Sequence, residues 1–437
     1  LCVSTHGYRV GVTDLEAVAR VRVSSGCPVE RLVCHPRLPL VAGLDGERPA
    51  VHVWSCEAGQ LRELGSVGAE SDGYGDAFGW DRVERTPALA WHPDKPRLVV
   101  AGGECGVVQW TPAGLSTVDG VPPAADYRSL AFSPDGRTLW ASPSSGDEGD
   151  AWDSSDVVDL ASGAVSSGPP WDTGVAQHPG GGVVVTLTSD QGATHGLFAR
   201  VDPGAAPGAM RLLRRALILD VDGYETPLFS ADGRHFAIRG NAYGNTLEVF
   251  EFPSLQRVLS TTLGEPSPGY PYPQEWLDQM RAWSRHNLAF GARPGVLWVG
   301  APTGALAEVD IEASRVVEHG LLAGSPVSAL ATTAAGELVL ASGGGELVLV
   351  SVRSDPEETR AADDSDASTA AASAVSEFLD ATSEVPDGGD LEEHLVVTDG
   401  DRTWNSDDLA TVSTATAGDP TWLRLRVAIN KGCDAQT

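Results

Sequence analysis

One motif recurs along the chain and limits what it can become. Residues 32–43 read LVCHPRLPLVAG, 89–102 LAWHPDKPRLVVAG, 130–142 LAFSPDGRTLWAS and 175–187 VAQHPGGGVVVTL. Residues 227–240 read PLFSADGRHFAIRG, 288–300 LAFGARPGVLWVG and 330–342 LATTAAGELVLAS. Each is an apolar run, a tight turn built from Pro, Asp and Gly, and a second apolar run. The turn chemistry is local: Pro pre-sets φ, Asp bonds its own backbone and Gly accepts positive φ. Seven hairpins in series describe an array of like units rather than one continuous core.

The hairpins recur roughly every 40 to 60 residues, the period of a four-stranded propeller blade. A chain of 437 residues would otherwise divide into two or three domains, but in a propeller each blade packs only on its neighbours. The pattern predicts an all-β, seven-bladed β-propeller over residues 1–355, with eight blades as the alternative. Residues 8–13 and 18–23 alternate with period 2 and read as two strands. They precede the first hairpin, so their blade must be completed from the other end of the ring, most naturally by the last repeat at 327–352. That closure leaves no open edge. An acidic flexible linker is expected at 356–369, followed by a C-terminal appendage at 370–437. Its helix covers 370–380, with Val375, Phe378 and Leu379 on one side, and strands are read at 394–398 and 422–429. The appendage either docks on the ring or joins residues 1–26 as an eighth blade. Residues 210–218, MRLLRRALI, suit a strand or a short helix equally.

After two of the hairpins the chain continues AVHVWSC (50–56) and GVVQWT (106–111), each a short strand ending near a Trp. With the HPD turn at 92–94 and the SPDG turn at 133–136, residues 28–352 resemble a divergent WD-repeat-type β-propeller. Trp54 and Trp110 are followed by Ser55 and Thr111 rather than by Asp. Residues 397–404, VTDGDRTW, resemble the Asp-box turn of sialidase-like propellers, with Val397 and Asp401 in place of Ser and Gly. In that family the box is a structural turn.

Net charge is −30, which disfavours nucleic-acid phosphates and anionic lipid as partners. Lys95 and Lys431 are the only lysines, a bias that fits a GC-rich genome. The six cysteines form no C-x-x-C pair and are too sparse for a disulfide framework, so reduced thiols in a cytoplasm are expected. No apolar run reaches the ~20 residues that span a bilayer, and the first residues carry no secretion-signal pattern.

Two inserts break the repeat. Residues 69–86 are rich in Gly and Asp and carry Tyr74, Phe78 and Trp80. Asp72, Asp76 and Asp81 lack the spacing of a known calcium loop, so the stretch reads as a surface loop. Residues 264–285 begin with GEPSPGYPYP, extended by its prolines, and continue QEWLDQMRAW, a short helix. Trp276, Met280 and Trp283 share one helix face, which either packs on the rim or offers anchors to a partner.

No G-x-S-x-G, H-E-x-x-H or P-loop pattern is present. His35, His92 and His178 recur at one hairpin position; ring geometry separates them, so turn capping is expected rather than a metal ring. No catalytic residue, metal or cofactor is assigned. The expected function is a non-catalytic scaffold for another protein or a multiprotein complex, with Tyr74, Phe78, Trp80, Trp276, Met280 and Trp283 as contacts. The alternative is a propeller hydrolase or lactonase with its active site at the channel mouth.

Overall fold

The computed structural model describes residues 13–77, 79–102, 106–122, 126–145, 153–190, 193–201, 208, 210–219, 225–240, 245–322, 324–353, 364–382, 395–399 and 402–404. They form seven small antiparallel sheets arranged as a seven-bladed β-propeller. The sequence pattern sets the sheets directly, because each repeated hairpin supplies the inner two strands of a blade. Blade 1 runs Val29–Cys34, Leu40–Asp45, Val51–Ser55 and Arg62–Val67, in that spatial order. The inner strands of the remaining blades are Ala88–Trp91, Ser129–Phe132, Ala176–Gln177, Leu228–Phe229, Leu288–Phe290 and Val327–Thr332.

Packing follows from the period-2 geometry of a strand buried on both faces. In blade 1, Leu40, Ala42 and Leu44 pack with Leu98 and Val100 of blade 2, whereas Val41 packs with Val339 and Ala341 of blade 7. The same division holds all round, so a separate apolar cluster fills each of the seven interfaces between blades. Trp54, Trp140 and Trp298 are completely buried in three of them. Each such side chain contributes about 1.5–3 kcal/mol by burial. Because the blade 7–blade 1 cluster is as full as the others, the ring is closed.

The ring is closed by Asp14–Arg22, antiparallel to Glu346–Arg353 at the outer edge of blade 7. The strand expected at 18–23 is present and begins earlier, at Asp14; of the one expected at 8–13, residues 8–12 lie outside the described set. Arg20 pairs with Glu346 at 3.0 Å, and Arg353 pairs with Glu16. The flanks of this strand are held by the blades on either side. Before it, Thr13 Oγ1 donates to Glu308 Oε1 of blade 6 at 2.9 Å. Glu308, 3 % exposed, also accepts from Arg293 (2.8 Å) and from His319 (3.0 Å). After the strand, Ser24 Oγ donates to Glu63 Oε1 of blade 1 at 2.7 Å. Glu63 in turn bonds His52 Nδ1 at 2.9 Å, and Asp45 bonds His52 Nε2 at 3.3 Å. Burial opposes charge on His52, but its hydrogen bonds to the two carboxylates outweigh that and raise its pKa.

The recurring histidines cap their turns and also join blades. His35 Nδ1 accepts the Arg37 and Leu38 N–H groups, each at 3.0 Å, while Nε2 lies 2.9 Å from Lys95 O of blade 2. His178 Nδ1 accepts the Gly180 N–H at 3.0 Å, and Nε2 lies 3.0 Å from Gly233 O of blade 5. Acceptance at Nδ1 puts the proton on Nε2. Gly233 has φ +69°, and a Cβ there would come within 2.5 Å of the His178 ring; Gly136 stands in the same relation to His92. Glycine in one blade's turn therefore makes room for the imidazole of the blade before it.

Burial lowers the pKa of His35, His92 and His178. Below the ordinary value of about 6.5 the unfolded chain takes up protons that these folded rings refuse. Their stabilising effect is therefore complete above that pH and declines as pH falls through it. Urea midpoints are expected to drop between pH 7 and pH 5. In His178→Gln the pH 7 stability is expected to fall by about 1 kcal/mol, with a shallower acid limb. An unchanged acid limb would contradict this origin.

The C-terminal helix spans Asp364–Thr382, reaching back into the acidic stretch that the sequence suggests as linker. Ala371, Val375 and Phe378 are buried, and Val375 and Phe378 join the cluster between blades 4 and 5. Residues 210–219 form a strand, the outermost of blade 4's own four. Leu395–Asp399 pairs with it in parallel, and Arg402–Trp404 pairs with Leu395–Asp399. The described strands of the appendage thus extend blade 4, while Asp14–Arg22 belongs to blade 7, and the ring has seven blades. The strand expected at 422–429 lies outside the described residues.

Candidate interaction face and channel mouth

In a four-stranded meander, the links between blades and the links between second and third strands emerge at one end of the ring. The repeated turns lie at the other. Both inserts, at 68–87 and 263–287, are links between blades and therefore share the entry end.

The first insert is folded onto the rim through Tyr74. This side chain is 4 % exposed, and its N–H donates to Glu47 O at 2.8 Å. The Arg82 guanidinium lies 3.3 Å from the ring centroid, a cation–π contact. Arg82 also bonds Glu30 Oε2 (2.7 Å), Thr86 Oγ1 (2.6 Å) and Gly46 O (3.2 Å), which ties the insert to the inner strand of blade 1. Arg85 donates to Gly73 O and Tyr74 O. Tyr74 is thus part of the insert's footing. Trp80 opens the helix Trp80–Arg85, but its side chain and the whole of Phe78 lie outside the described residues.

The second insert carries the helix Gln274–Ala282, opened by Pro273 and capped by Trp283. Trp276 is 9 % exposed; its Nε1 donates to Glu265 O at 3.1 Å, and its ring stacks on Tyr272 with centroids 5.0 Å apart. Met280 O and Sδ both accept from Asn245 Nδ2. Trp283 packs against the cluster between blades 5 and 6. Trp276, Met280 and Trp283 therefore hold the insert down. What it turns outward is Tyr270, 89 % exposed, set edge-on to Tyr272 with centroids 6.0 Å apart. The sequence offered Tyr270 between prolines, a position in which its backbone is extended and its ring has little to pack on.

A second constellation occupies the channel mouth at the same end. Glu30 and Arg31 begin the inner strand of blade 1, Glu225 precedes that of blade 5, and Arg285 and His286 precede that of blade 6. Hydrogen bonds hold this rim: Ser284 Oγ to Ser328 O (2.5 Å), Ser328 Oγ to Val29 O (2.7 Å) and Leu330 N to His286 O (2.9 Å). His286 Nδ1 lies 3.8 Å from Glu225 Oε2. Arg31 acts electrostatically on both His286 and Glu225, and Arg285 on both His286 and Glu30. Burial, then the charges of Arg31, Arg285 and Arg239, hold the His286 pKa well below its usual value, so the ring is neutral. Burial also lowers the Arg31 pKa despite Glu225 and Glu30, and it raises that of Glu30 against the pull of Arg82. None of these positions forms a local motif. The available signal was a basic residue just before or at the start of an inner strand in an otherwise acidic chain.

Among the described residues, no group of three or more His, Cys, Asp or Glu side chains is placed to hold a metal ion, and no helix is long and apolar enough to cross a membrane. Neither a protein-family model nor a curated protein matches the sequence.

Proposed function

We propose that the protein is an interaction scaffold whose entry face receives another protein, with the 263–287 insert as its principal contact. The observation that supports this most is Tyr270: a large aromatic side chain, 89 % exposed, on a proline-braced loop whose Trp276 and Trp283 are packed and whose Tyr272 is 37 % exposed. A rigid aromatic tip loses little conformational entropy on binding, which is why such residues serve as anchors. Kinship with WD-repeat propellers, which the HPD and SPDG turns suggest, belongs to the same proposal. Tyr270→Ala is expected to leave stability within about 0.5 kcal/mol of wild type, as for an exposed side chain. It is expected to weaken capture of the native partner about tenfold or more in affinity purification from the source organism. Equal recovery of the partner with both proteins would refute the anchor.

A second reading, a propeller hydrolase or lactonase, draws on the His286–Glu225 pair at the mouth. Turnover of esters or lactones that His286→Gln abolishes would establish it in place of the scaffold.

A further inference from the structure

We propose that the channel mouth is a binding site for a single oxyanion, a carboxylate or a phosphate group, held by Arg31 and Arg285 beside His286. The inference is independent of any contact at Tyr270. It starts from the hydrogen-bonded rim: Ser284, next to Arg285, donates to Ser328 O, Ser328 donates to Val29 O two positions before Arg31, and His286 lies 3.8 Å from Glu225, so the entries of blades 1, 5, 6 and 7 are drawn together and the two arginines come from different blades. Among the described residues neither guanidinium makes a hydrogen bond or a close ion pair; Arg31 is half-buried and Arg285 is exposed. Three arginines elsewhere in the ring are engaged. Arg82 takes Glu30, Arg293 takes Glu308 and Asp310, and Arg239 takes Asn245, Asn287 and Ser284 O.

A guanidinium withdrawn from water without a matched acceptor is an unfavourable arrangement, and here Glu225 and Glu30 do not offset it. Arginine's planar fork suits a carboxylate or phosphate, which it binds with two parallel N–H···O bonds. His286 adds a third donor once an anion offsets the neighbouring positive charge. The setting also limits the ligand. The chain carries −30 overall, so an extended polyanion is repelled while one oxyanion group entering the mouth meets local positive charge.

The test uses the full chain at fixed ionic strength, titrated calorimetrically with inorganic phosphate and, separately, with acetate. Saturable 1:1 binding of at least one probe is expected. Arg31→Gln is expected to weaken it about tenfold or more and Arg285→Gln severalfold. Arg281→Gln, an exposed change on the insert helix, is expected to leave it unaltered. Preference for phosphate would identify a phosphoryl group as the ligand; preference for acetate would identify a carboxylate, such as a chain terminus or acidic side chain. Without probe, Arg31→Gln is expected to melt no lower than wild type, because it removes an uncompensated charge. No saturable binding of either probe would overturn the proposal. So would binding indifferent to both arginine changes, or a destabilised Arg31→Gln protein alongside undiminished binding in Arg285→Gln.

Discussion

Replacing Glu308 by Ala is expected to lower the free energy of unfolding by about 3 kcal/mol, the lower end of the cost of breaking a buried ion pair from one side. The carboxylate is 3 % exposed and accepts from Thr13, Arg293 and His319, so its removal leaves three donors without their acceptor in a nearly dry site. Arg293 retains its contact to Asp310 at 3.4 Å and some access to water, which keeps the cost from the upper end. Glu308→Gln preserves shape and one acceptor oxygen and is expected to cost about half as much. Because Thr13 precedes the closing strand, its amides at 14–22 are expected to exchange faster than those of the inner strands. Urea denaturation and native-state hydrogen exchange read both effects. A change below about 1 kcal/mol, or exchange that rises uniformly round the ring, would show that Glu308 does not secure the closure.

Phe378→Ala is expected to release the C-terminal helix and leave the ring folded. Phe378 lies with its ring centroid 5.1 Å from that of Phe252 and 5.5 Å from that of Phe198, in the cluster shared by blades 4 and 5. Truncating a buried Phe costs about 3–5 kcal/mol. The whole helix is 19 residues long, and among its described side chains only Ala371, Val375 and Phe378 are buried. An isolated helix of that length is marginal in water, so once undocked it melts. The expected readouts are loss of most of the helical circular dichroism and cleavage of the 364–382 segment by a nonspecific protease. The main unfolding transition should remain cooperative. A single coupled loss of helix and ring would instead make the helix an integral part of the interface between blades 4 and 5.

The ring was readable from the sequence because its determinants are local. A hairpin such as 130–142 carries its own turn chemistry and its own apolar strands, and repetition supplies the architecture. Even the histidine caps followed from this logic, although the bonds from His35 to Lys95 O and from His178 to Gly233 O needed adjacent blades. The aromatic inserts were found by composition, yet composition does not say which ring points outward. Trp276 and Tyr270 lie six positions apart and have opposite exposures, because one stacks under Tyr272 and the other projects beyond it. The mouth was not readable at all. Glu225 and His286 are far apart in the chain, and the bonds from Ser284 through Ser328 to Val29 bring their rim beside the strand of Arg31 only after the circle is complete.

The closing strand has a consequence for how the protein is made. Arg20 and Glu346, which end up side by side, are separated by 326 residues of chain. At ribosomal rates of roughly 5–20 residues per second, the strand emerges tens of seconds before its hydrogen-bonding partner exists. Its sequence, DLEAVARVR, suits that wait, since charged side chains interrupt the apolar ones and discourage pairing with foreign edges. The nascent chain thus carries an open circle until Glu346–Arg353 is made, and the final rung is laid against residues that left the ribosome long before.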